Sequence, residues 1–293
     1  MIRNAFLFAS KAALIAVLLL SSQSVLAQRN MKPRLPGSEY QNFLKTQWWL
    51  GLKFGANFTQ PNPKDRYSSV TPINYDTELL EKTYENFSQP GVLIGLDLSF
   101  YHKGVSVAIT PVFKQIGYHY KSNLEWTGDL DTETFETEYS IKQTASFIEL
   151  PISLRYEIIK QGKLRPYIMA GFQYSFALYA NKKTDIKHTD YITGTPQTYD
   201  GGSVTVDVKE EFQNYYGALA GLGFGWDVGN IRTVLEVSYA YGLSSITDTD
   251  KRYSENDLVS LGESNDETNI NGINASLSVI FPLRYIDNTF SSR

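Results

Sequence analysis

Cysteine is absent from the 293 residues of this sequence. Its absence excludes a disulfide framework and a lipid-modified N-terminal cysteine. The three histidines, His102, His119 and His188, form no closely spaced pair that could hold a metal. No metal site and no cofactor is therefore predicted.

Long apolar runs are scarce as well. The run from Ala12 to Leu20 covers about 9 residues, well short of the roughly 20 that a membrane-spanning helix needs. It follows Arg3 and Lys11 and precedes Val25-Leu26-Ala27. This pattern predicts a signal peptide over residues 1–27, cleaved after Ala27.

Basic clusters are missing too, and the formal net charge is −4. Nucleic acid is therefore not expected as a partner, because it is bound through basic surfaces. Aromatic residues are instead abundant, with 20 Tyr, 16 Phe and 4 Trp. Such a composition is typical of a surface that meets lipid at the edges of a membrane.

Alternation of apolar with polar or small residues is the main pattern in the rest of the chain. In the first such segment, Leu50, Leu52 and Phe54 share one face, while Gly51 and Lys53 share the other. Each segment is about long enough for the 9 to 11 residues of a tilted membrane strand. The eight segments are 50–58, 92–100, 105–114, 148–156, 168–176, 217–227, 232–241 and 272–281.

Short and long connections alternate between these segments. The short ones lie at 102–104, 160–163 and 229–230, and the long polar ones near 59–88, 121–140, 180–208 and 247–268. Outer membrane barrels have short periplasmic turns and long extracellular loops. The predicted fold is therefore all-β, an eight-stranded antiparallel transmembrane β-barrel over 48–283. A periplasmic N-terminal segment (28–47) and a periplasmic tail (284–293) would flank it.

A soluble β-sandwich or lipocalin-like barrel would alternate in the same way, with its apolar face turned inward. Two features favour the membrane barrel instead. The polar face is rich in small residues, and aromatic residues cluster at the strand ends, as in an interfacial girdle next to outer membrane lipids. The predicted girdle consists of Trp48, Trp49, Tyr118, Tyr120, Tyr156, Tyr216 and Trp226.

Charged residues fall on the inward face of the predicted strands. In the lumen they can pair, whereas Arg or Lys facing lipid at the midplane would cost about 2–4 kcal/mol. An eight-stranded barrel is filled by its own side chains, so we expect a plugged lumen rather than a diffusion pore. An ion or proton path along the same charges is the alternative. The predicted network consists of Lys53, Asp97, Lys114, Glu149, Arg155, Arg165, Arg232 and Glu236. Asp227 has the same parity, meaning that its position in the alternation also places it on the inward face.

The fourth and fifth segments carry the most specific motif of the chain. Glu149 to Tyr156 spells E-L-P-I-S-L-R-Y, and after a short turn Arg165 to Gly171 spells R-P-Y-I-M-A-G. This pairing resembles the PorT-like outer membrane barrel proteins of the Bacteroidota, over about residues 48–283. The resemblance implies an outer membrane barrel with a link to type IX protein secretion.

Two functions remain open at this stage. The first is a structural or assembly component that contacts periplasmic or secretion-system proteins through its terminal segments, and the resemblance favours it slightly. The second is a surface binding or adhesion barrel that acts through its four long loops. No catalytic residue is predicted. His119, the one histidine placed near a membrane edge, has no serine assigned to it by spacing.

Overall fold

The computed structural model describes residues 46–66, 82–127, 134–159, 163–192, 195–228, 231–252, 258 and 263–283. The predicted signal peptide (1–27) and C-terminal tail (284–293) lie outside these ranges. So does the predicted N-terminal segment (28–47), except for its last two residues, which belong to the first strand. Among the described residues, no helix is long and apolar enough to cross a membrane.

Strands make up almost all of the described chain. Two short 3₁₀ turns, Lys209–Glu211 and Thr249–Lys251, interrupt them. The strands are β1 (Thr46–Asp65), β2 (Lys82–Glu85), β3 (Pro90–His102), β4 (Val105–Ile109), β5 (Val112–Thr127), β6 (Thr134–Glu157), β7 (Leu164–Asp190), β8 (Gln197–Asp207), β9 (Tyr215–Val228), β10 (Ile231–Gly242) and β11 (Glu267–Pro282).

Hydrogen-bonded neighbours close these strands into a ring. Its order is β1, β3, β4 together with β5, β6, β7, β9, β10 and β11, and β11 pairs back with β1 over Trp49 to Asp65. Counting β4 and β5 as one position in the ring gives eight. The predicted eight-stranded antiparallel barrel is thereby confirmed, and β2 and β8 are additional strands outside the ring.

The third predicted strand, over 105–114, is broken at Thr110 and Pro111. Proline has no backbone N–H to donate to a neighbouring strand. The backbone bridges the break by other bonds: the N–H of Leu96 donates to the carbonyl of Pro111, and that of Thr110 donates to the carbonyl of Pro151, both at 3.0 Å. The ring therefore stays closed across the break.

Alternation along the strands separates an apolar outer surface from a polar lumen. Leu52 and Ile94 are 63% and 61% exposed on the outside, whereas Lys53 and Asp97, one and three residues further along their strands, are buried. Small inward residues make room for large ones. A Cβ atom at Gly223 would lie 2.0 Å from the ring of Tyr167, directly opposite on β7.

Two strands are far longer than a membrane requires. β6 has 24 residues and β7 has 27, compared with the 9 to 11 residues of a tilted spanning strand. On the outer face of β7 the apolar residues end at Tyr179, and exposed Asn181, Lys183 and Asp185 follow. The membrane boundary is therefore placed at Tyr179, and the remainder of β7 extends beyond it.

The same hydrogen-bonded sheet continues along this extension beyond the barrel. The continuation comprises β2, residues 115–127 of β5, 134–146 of β6, 179–190 of β7, and β8, and we call it the loop-end sheet. The predicted polar loops over 121–140 and 180–208 are largely these strands, so the prediction of loops is wrong there. The error arises because inward apolar residues such as Tyr139 and Ile186 are separated by outward polar and charged residues, which resemble loop composition.

Buried apolar residues fill the barrel at two levels. Near the short turns, which we call the turn end, the cluster contains Trp49, Tyr101, Tyr167, Met169, Leu219, Val234 and Ile280. At the opposite loop end, the larger cluster includes Ile116, Tyr118, Tyr120, Ile141, Phe147, Ile186, Tyr215, Ile246 and Ile270.

Candidate functional site

Glu236 is the centre of the charge network inside the barrel. Its carboxylate accepts a hydrogen bond from the Lys53 ammonium at 2.5 Å and one from the Tyr167 hydroxyl at 2.8 Å. It also lies 3.1 Å from Nη2 of Arg155. All of these residues are buried, and three different strands besides β10 supply them.

Arg155 joins Glu236 to a second carboxylate. Its two terminal nitrogens donate to the two oxygens of Asp97 at 3.2 and 2.9 Å. This bidentate arrangement is the strongest geometry for such a pair. Four of the eight predicted network residues, Lys53, Asp97, Arg155 and Glu236, therefore form one connected group.

Lys114 and Glu149 form a separate pair nearer the loop end, with Nζ 3.2 Å from Oε1. The hydroxyls of Tyr215 and Ser175 donate to the same oxygen at 2.6 and 3.3 Å. The carboxylate is therefore held by three partners, and the family-like motif that contains Glu149 contributes directly to the packing of the lumen.

Arg165 and Arg232 form the third group, at the turn end. Both contact Glu157 and Asp227: Arg165 at 3.0 and 2.7 Å, and Arg232 at 3.1 and 2.5 Å. Glu157 was missed by the sequence analysis, although it has the same parity as Arg155 and could have been found from it. The three groups together contain five basic and five acidic residues.

Little space is left between these side chains. A cavity of about 20 Å³ is lined by Trp49, Arg155, Tyr167 and Arg232, among others. That volume holds about one water molecule. Within the described residues, this level of the lumen is closed by packed and paired side chains.

Four residues of the predicted girdle face outward. Trp48, Tyr156, Tyr216 and Trp226 are each more than 40% exposed on the outer surface. Trp48 packs against Phe100 with ring centroids 4.9 Å apart. These positions lie near the ends of their strands, where a girdle would meet the membrane interfaces.

The other three predicted girdle residues, Trp49, Tyr118 and Tyr120, are buried in the barrel, so their assignment to a girdle is wrong. Trp49 follows Trp48 directly, and successive strand residues face opposite sides. Its ring lies 4.8 Å from the Arg232 guanidinium. Tyr118 and Tyr120 point inward from β5, and both belong to the loop-end apolar cluster.

A second buried charge cluster lies at the loop end and was not predicted. Lys82 donates to the carbonyl of Ser264 at 2.5 Å and to Asp266 at 2.9 Å. Lys82 and Lys182 each lie 3.6 Å from Oε1 of Glu263. The Tyr120 hydroxyl donates to that same oxygen at 2.7 Å, and Tyr84 donates to Asp266 at 2.8 Å.

This loop-end cluster joins parts of the chain that are far apart in sequence. Residues 82–84 come from the first long connection, Lys182 from β7, and 263–266 from the fourth connection. Asn265 hydrogen-bonds to Glu211, which ties in the 3₁₀ turn after β8. Residues 263–266 are thereby fastened to β2, β5, β7 and the first 3₁₀ turn.

Similarity to known proteins agrees with this geometry. The family model described as an outer membrane protein beta-barrel domain matches residues 27–248. The chain belongs to this outer membrane β-barrel family. The match ends before β11, the strand that closes the ring. No curated protein matches the sequence.

Several solved structures are similar to the chain at low identity. Ail of Yersinia pestis, crystallised with the heparin analogue sucrose octasulfate, is 11% identical, with 80% of this chain and 99% of that chain covered and a TM-score of 0.29. OprG of Pseudomonas aeruginosa is 11% identical over 82% and 97%, with a TM-score of 0.39. Neisserial surface protein A is 11% identical over 80% and 96%, with a TM-score of 0.33.

Members of the outer membrane β-barrel family reside in the outer membrane, and such barrels have their short turns in the periplasm. From this general orientation we expect the loop end of this protein, with the loop-end sheet and its buried charge cluster, to face the cell exterior. Across the described residues, no group of three or more His, Cys, Asp or Glu side chains is arranged to hold a metal ion.

Burial raises the pKa of three tyrosines at the loop end, Tyr84, Tyr118 and Tyr120. The nearby Glu263 raises it further in all three, and Asp266 does so in Tyr84 and Tyr118. In the unfolded chain these hydroxyls lose their protons near pH 10, whereas in the folded protein they keep them. Stability from these groups is therefore complete below about pH 10 and is lost as the pH rises beyond it. Burial lowers the pKa of Lys182. Below the ordinary pKa of a lysine, this shift makes stability rise with pH, which is the opposite of the tyrosine effect.

We expect the free energy of unfolding to fall above pH 10.5, by up to about 1.4 kcal/mol per pH unit for each buried tyrosine. Urea unfolding in lipid vesicles between pH 10.5 and 12 measures this slope. Tyr118→Phe removes one ionisable group and should make the slope shallower. An unchanged slope in that variant would contradict the assignment of the effect to these tyrosines.

Proposed function

We propose that this protein is a non-enzymatic, non-conducting outer membrane barrel that binds an extracellular partner through its loop-end sheet. The observation that carries the proposal is the long pairing of β6 with β7 from Glu157 to Phe135, which is interrupted by one register shift between Ser146 and Phe147. Nearly half of that length extends beyond the membrane boundary at Tyr179. A barrel alone does not require strands of this length, whereas a rigid sheet outside the cell does. Such a sheet offers a preformed surface for binding.

The filled lumen supports the non-conducting part of this proposal. The paired charges around Glu236 and the apolar cluster around Phe147 and Tyr215 occupy successive levels of the barrel. Phe147 and Tyr215 pack edge to face with centroids 5.1 Å apart. An ion crossing the barrel would have to displace both layers.

We therefore expect no stable conductance from the mature protein in planar lipid bilayers. The interior would have to lose buried ion pairs before water could form a continuous column. A general porin reconstituted in the same bilayers serves as the positive control. Stable channels well above background from several independent preparations would show that the lumen is a pore.

A catalytic role is not part of the proposal. The hydroxyl of Ser88, which lies close to His119 in space, is engaged by backbone atoms: it accepts from the N–H of His119 at 3.2 Å and donates to the carbonyl of Glu85. Glu85 is directly opposite His119 in the pairing of β2 with β5. The backbone of His119 therefore helps to hold the edge strand β2 against β5.

Surface display tests the binding role. Bacteria that carry the full barrel are compared with bacteria that carry a trimmed variant, in which residues 124–137 and 188–199 are each replaced by a two-residue Asn-Gly turn. Binding to immobilised extracellular proteins and glycans should be lost on trimming, while the variant should still fold in the outer membrane. Equal binding by both strains would contradict a role for the loop-end sheet.

The assembly role suggested by the PorT-like motif is the second candidate. It is supported by that motif alone, whose two halves lie on the neighbouring strands β6 and β7. Removing residues 28–45 or 284–293 should abolish co-purification of secretion-system subunits from the native outer membrane if this role is correct. Trimming the loop-end sheet should then have no effect, so the two sets of deletions separate the two functions.

A further inference from the structure

Four aromatic side chains form a row at the far end of the loop-end sheet. Trp126 on β5 lies directly opposite Phe135 on β6, and His188 on β7 lies directly opposite Tyr199 on β8. The rings of Phe135 and His188 stack with centroids 5.4 Å apart. Because directly opposed residues share a face, Trp126, Phe135, His188 and Tyr199 lie on one face, and we call them the distal aromatic patch.

These rings are exposed and are far from lipid. Trp126 is 56% exposed, Tyr199 is 51% and Phe135 is 39%. Trp126 lies 11 residues beyond Gln115, which is level with the membrane boundary at Tyr179. That separation is on the order of 35 Å along the strand, so an interfacial girdle does not account for the patch.

Sheet stabilisation explains only part of the arrangement. Cross-strand aromatic pairs stabilise sheets, and the bond of 2.9 Å between Thr137 Oγ1 and His188 Nδ1 fixes the middle of the row. It does not explain why the two end members, Trp126 and Tyr199, leave about half of their surface in water. Exposed Trp and Tyr rings of this kind are typical of binding surfaces.

The surroundings of the patch are acidic. Asp190 lies on the face of the rings, directly opposite Phe135, whereas Glu125, Glu136 and Asp200 lie on the other face of the same strands. Lys187, next to His188, also lies on that other face, directly opposite Asp200. No lysine or arginine occurs in the sequence between Lys121 and Lys142, and Lys121 is paired with Glu138 at 3.3 Å. A ligand that carries several negative charges would be repelled here, whereas a cationic one would be attracted.

We propose that the distal aromatic patch binds an arginine- and lysine-bearing protein surface. Guanidinium groups would stack on Trp126 and Tyr199, since cations are attracted to the faces of aromatic rings, and Asp190 would pair with a neighbouring basic side chain. This inference rests on the proposed binding function of the loop-end sheet. It adds the chemistry of the partner and the residues that contact it.

The test uses the mature protein in lipid nanodiscs and three probes: a fluorescent nona-arginine peptide, a nona-glutamate peptide and neutral maltohexaose. The key variant is W126A/Y199A, which keeps every charge of the tip. It should bind the arginine peptide about three- to tenfold more weakly than the parent. The variant W226A, which removes an exposed Trp at the turn end, is the matched control and should bind like the parent.

A second variant, D190N, removes the carboxylate on the face of the rings and keeps the rings. It should weaken arginine-peptide binding and reduce the dependence of that binding on salt, whereas E85Q on β2 should change neither. The proposal is overturned if W126A/Y199A binds the arginine peptide as tightly as the parent. It is also overturned if maltohexaose or nona-glutamate binds more tightly than nona-arginine, or if no probe binds.

Failure of this inference differs from failure of the proposed function. If surface display shows binding that is lost on trimming, but W126A/Y199A retains it, the loop-end sheet binds a partner by other residues and only the inference is wrong. If trimming leaves surface binding intact, the proposed function itself is wrong.

Discussion

Replacing Glu236 by glutamine is expected to lower the free energy of unfolding by about 3–5 kcal/mol. The change keeps the size of the side chain but removes the charge that faces Lys53 at 2.5 Å and Arg155 at 3.1 Å. Arg155 keeps Asp97 as a partner, whereas Lys53 is left as a buried ammonium without a carboxylate. An uncompensated buried charge is the main cost of breaking such a pair.

Urea unfolding in lipid vesicles, followed by tryptophan fluorescence, measures this effect. The matched control is Glu138→Gln, because the pair of Glu138 with Lys121 is largely exposed, and its loss should cost less than about 1 kcal/mol. The double variant K53M/E236Q removes both charges and should recover part of the lost stability. If E236Q were no more harmful than E138Q, the network would not hold the barrel together.

In the loop-end charge cluster, removal of the acidic Glu263 and removal of the basic Lys182 should change the stability of the protein by different amounts. Glu263→Gln is expected to destabilise the protein by about 3 kcal/mol or more, because Lys82 and Lys182 both lie 3.6 Å from this carboxylate. Lys182→Met is expected to be nearly neutral. Burial lowers the pKa of Lys182, so its charged form is costly there, and Glu263 keeps Lys82 and Tyr120 as partners.

Hydrogen exchange shows where the effect of Glu263→Gln appears. The N–H of Ile246 donates to the carbonyl of Thr268 at 2.9 Å, next to the fastened segment, and it should exchange faster in this variant. Amides in the membrane part of β10 should stay protected. Asp250→Asn, at an exposed position of the second 3₁₀ turn, is the control. Equal effects of Glu263→Gln and Lys182→Met would contradict the asymmetry.

The barrel itself was predictable because its signals are local. A strand with one face toward lipid needs alternation of period two, and this alternation is visible in any segment of about ten residues. Parity then placed Lys53, Asp97, Arg155 and Glu236 on one side before their partners were known. Glu157 has the same parity as Arg155 and was missed because it lies next to the turn.

The girdle shows where local signals are insufficient. Aromatic residues at a strand end can face lipid or the lumen, and Trp48 and Trp49 cannot both face the same way. Strict use of parity would have placed Trp49 inward. Tyr118 and Tyr120 have the same parity as the inward-facing Lys114, so parity would have placed them inward as well. The structure adds that the sheet continues beyond the membrane around them.

Sequence by itself determined the number of membrane strands, the faces of those strands and the polar character of the lumen, since each depends on residues close together in the chain. Tertiary structure alone decided that the long connections form a sheet and that Lys82, Lys182 and Glu263 meet at the loop end. It also decided that Trp126, Phe135, His188 and Tyr199 share one exposed row. Most of these contacts join residues that are far apart in the sequence. The register between strands sets them, and no local period encodes that register.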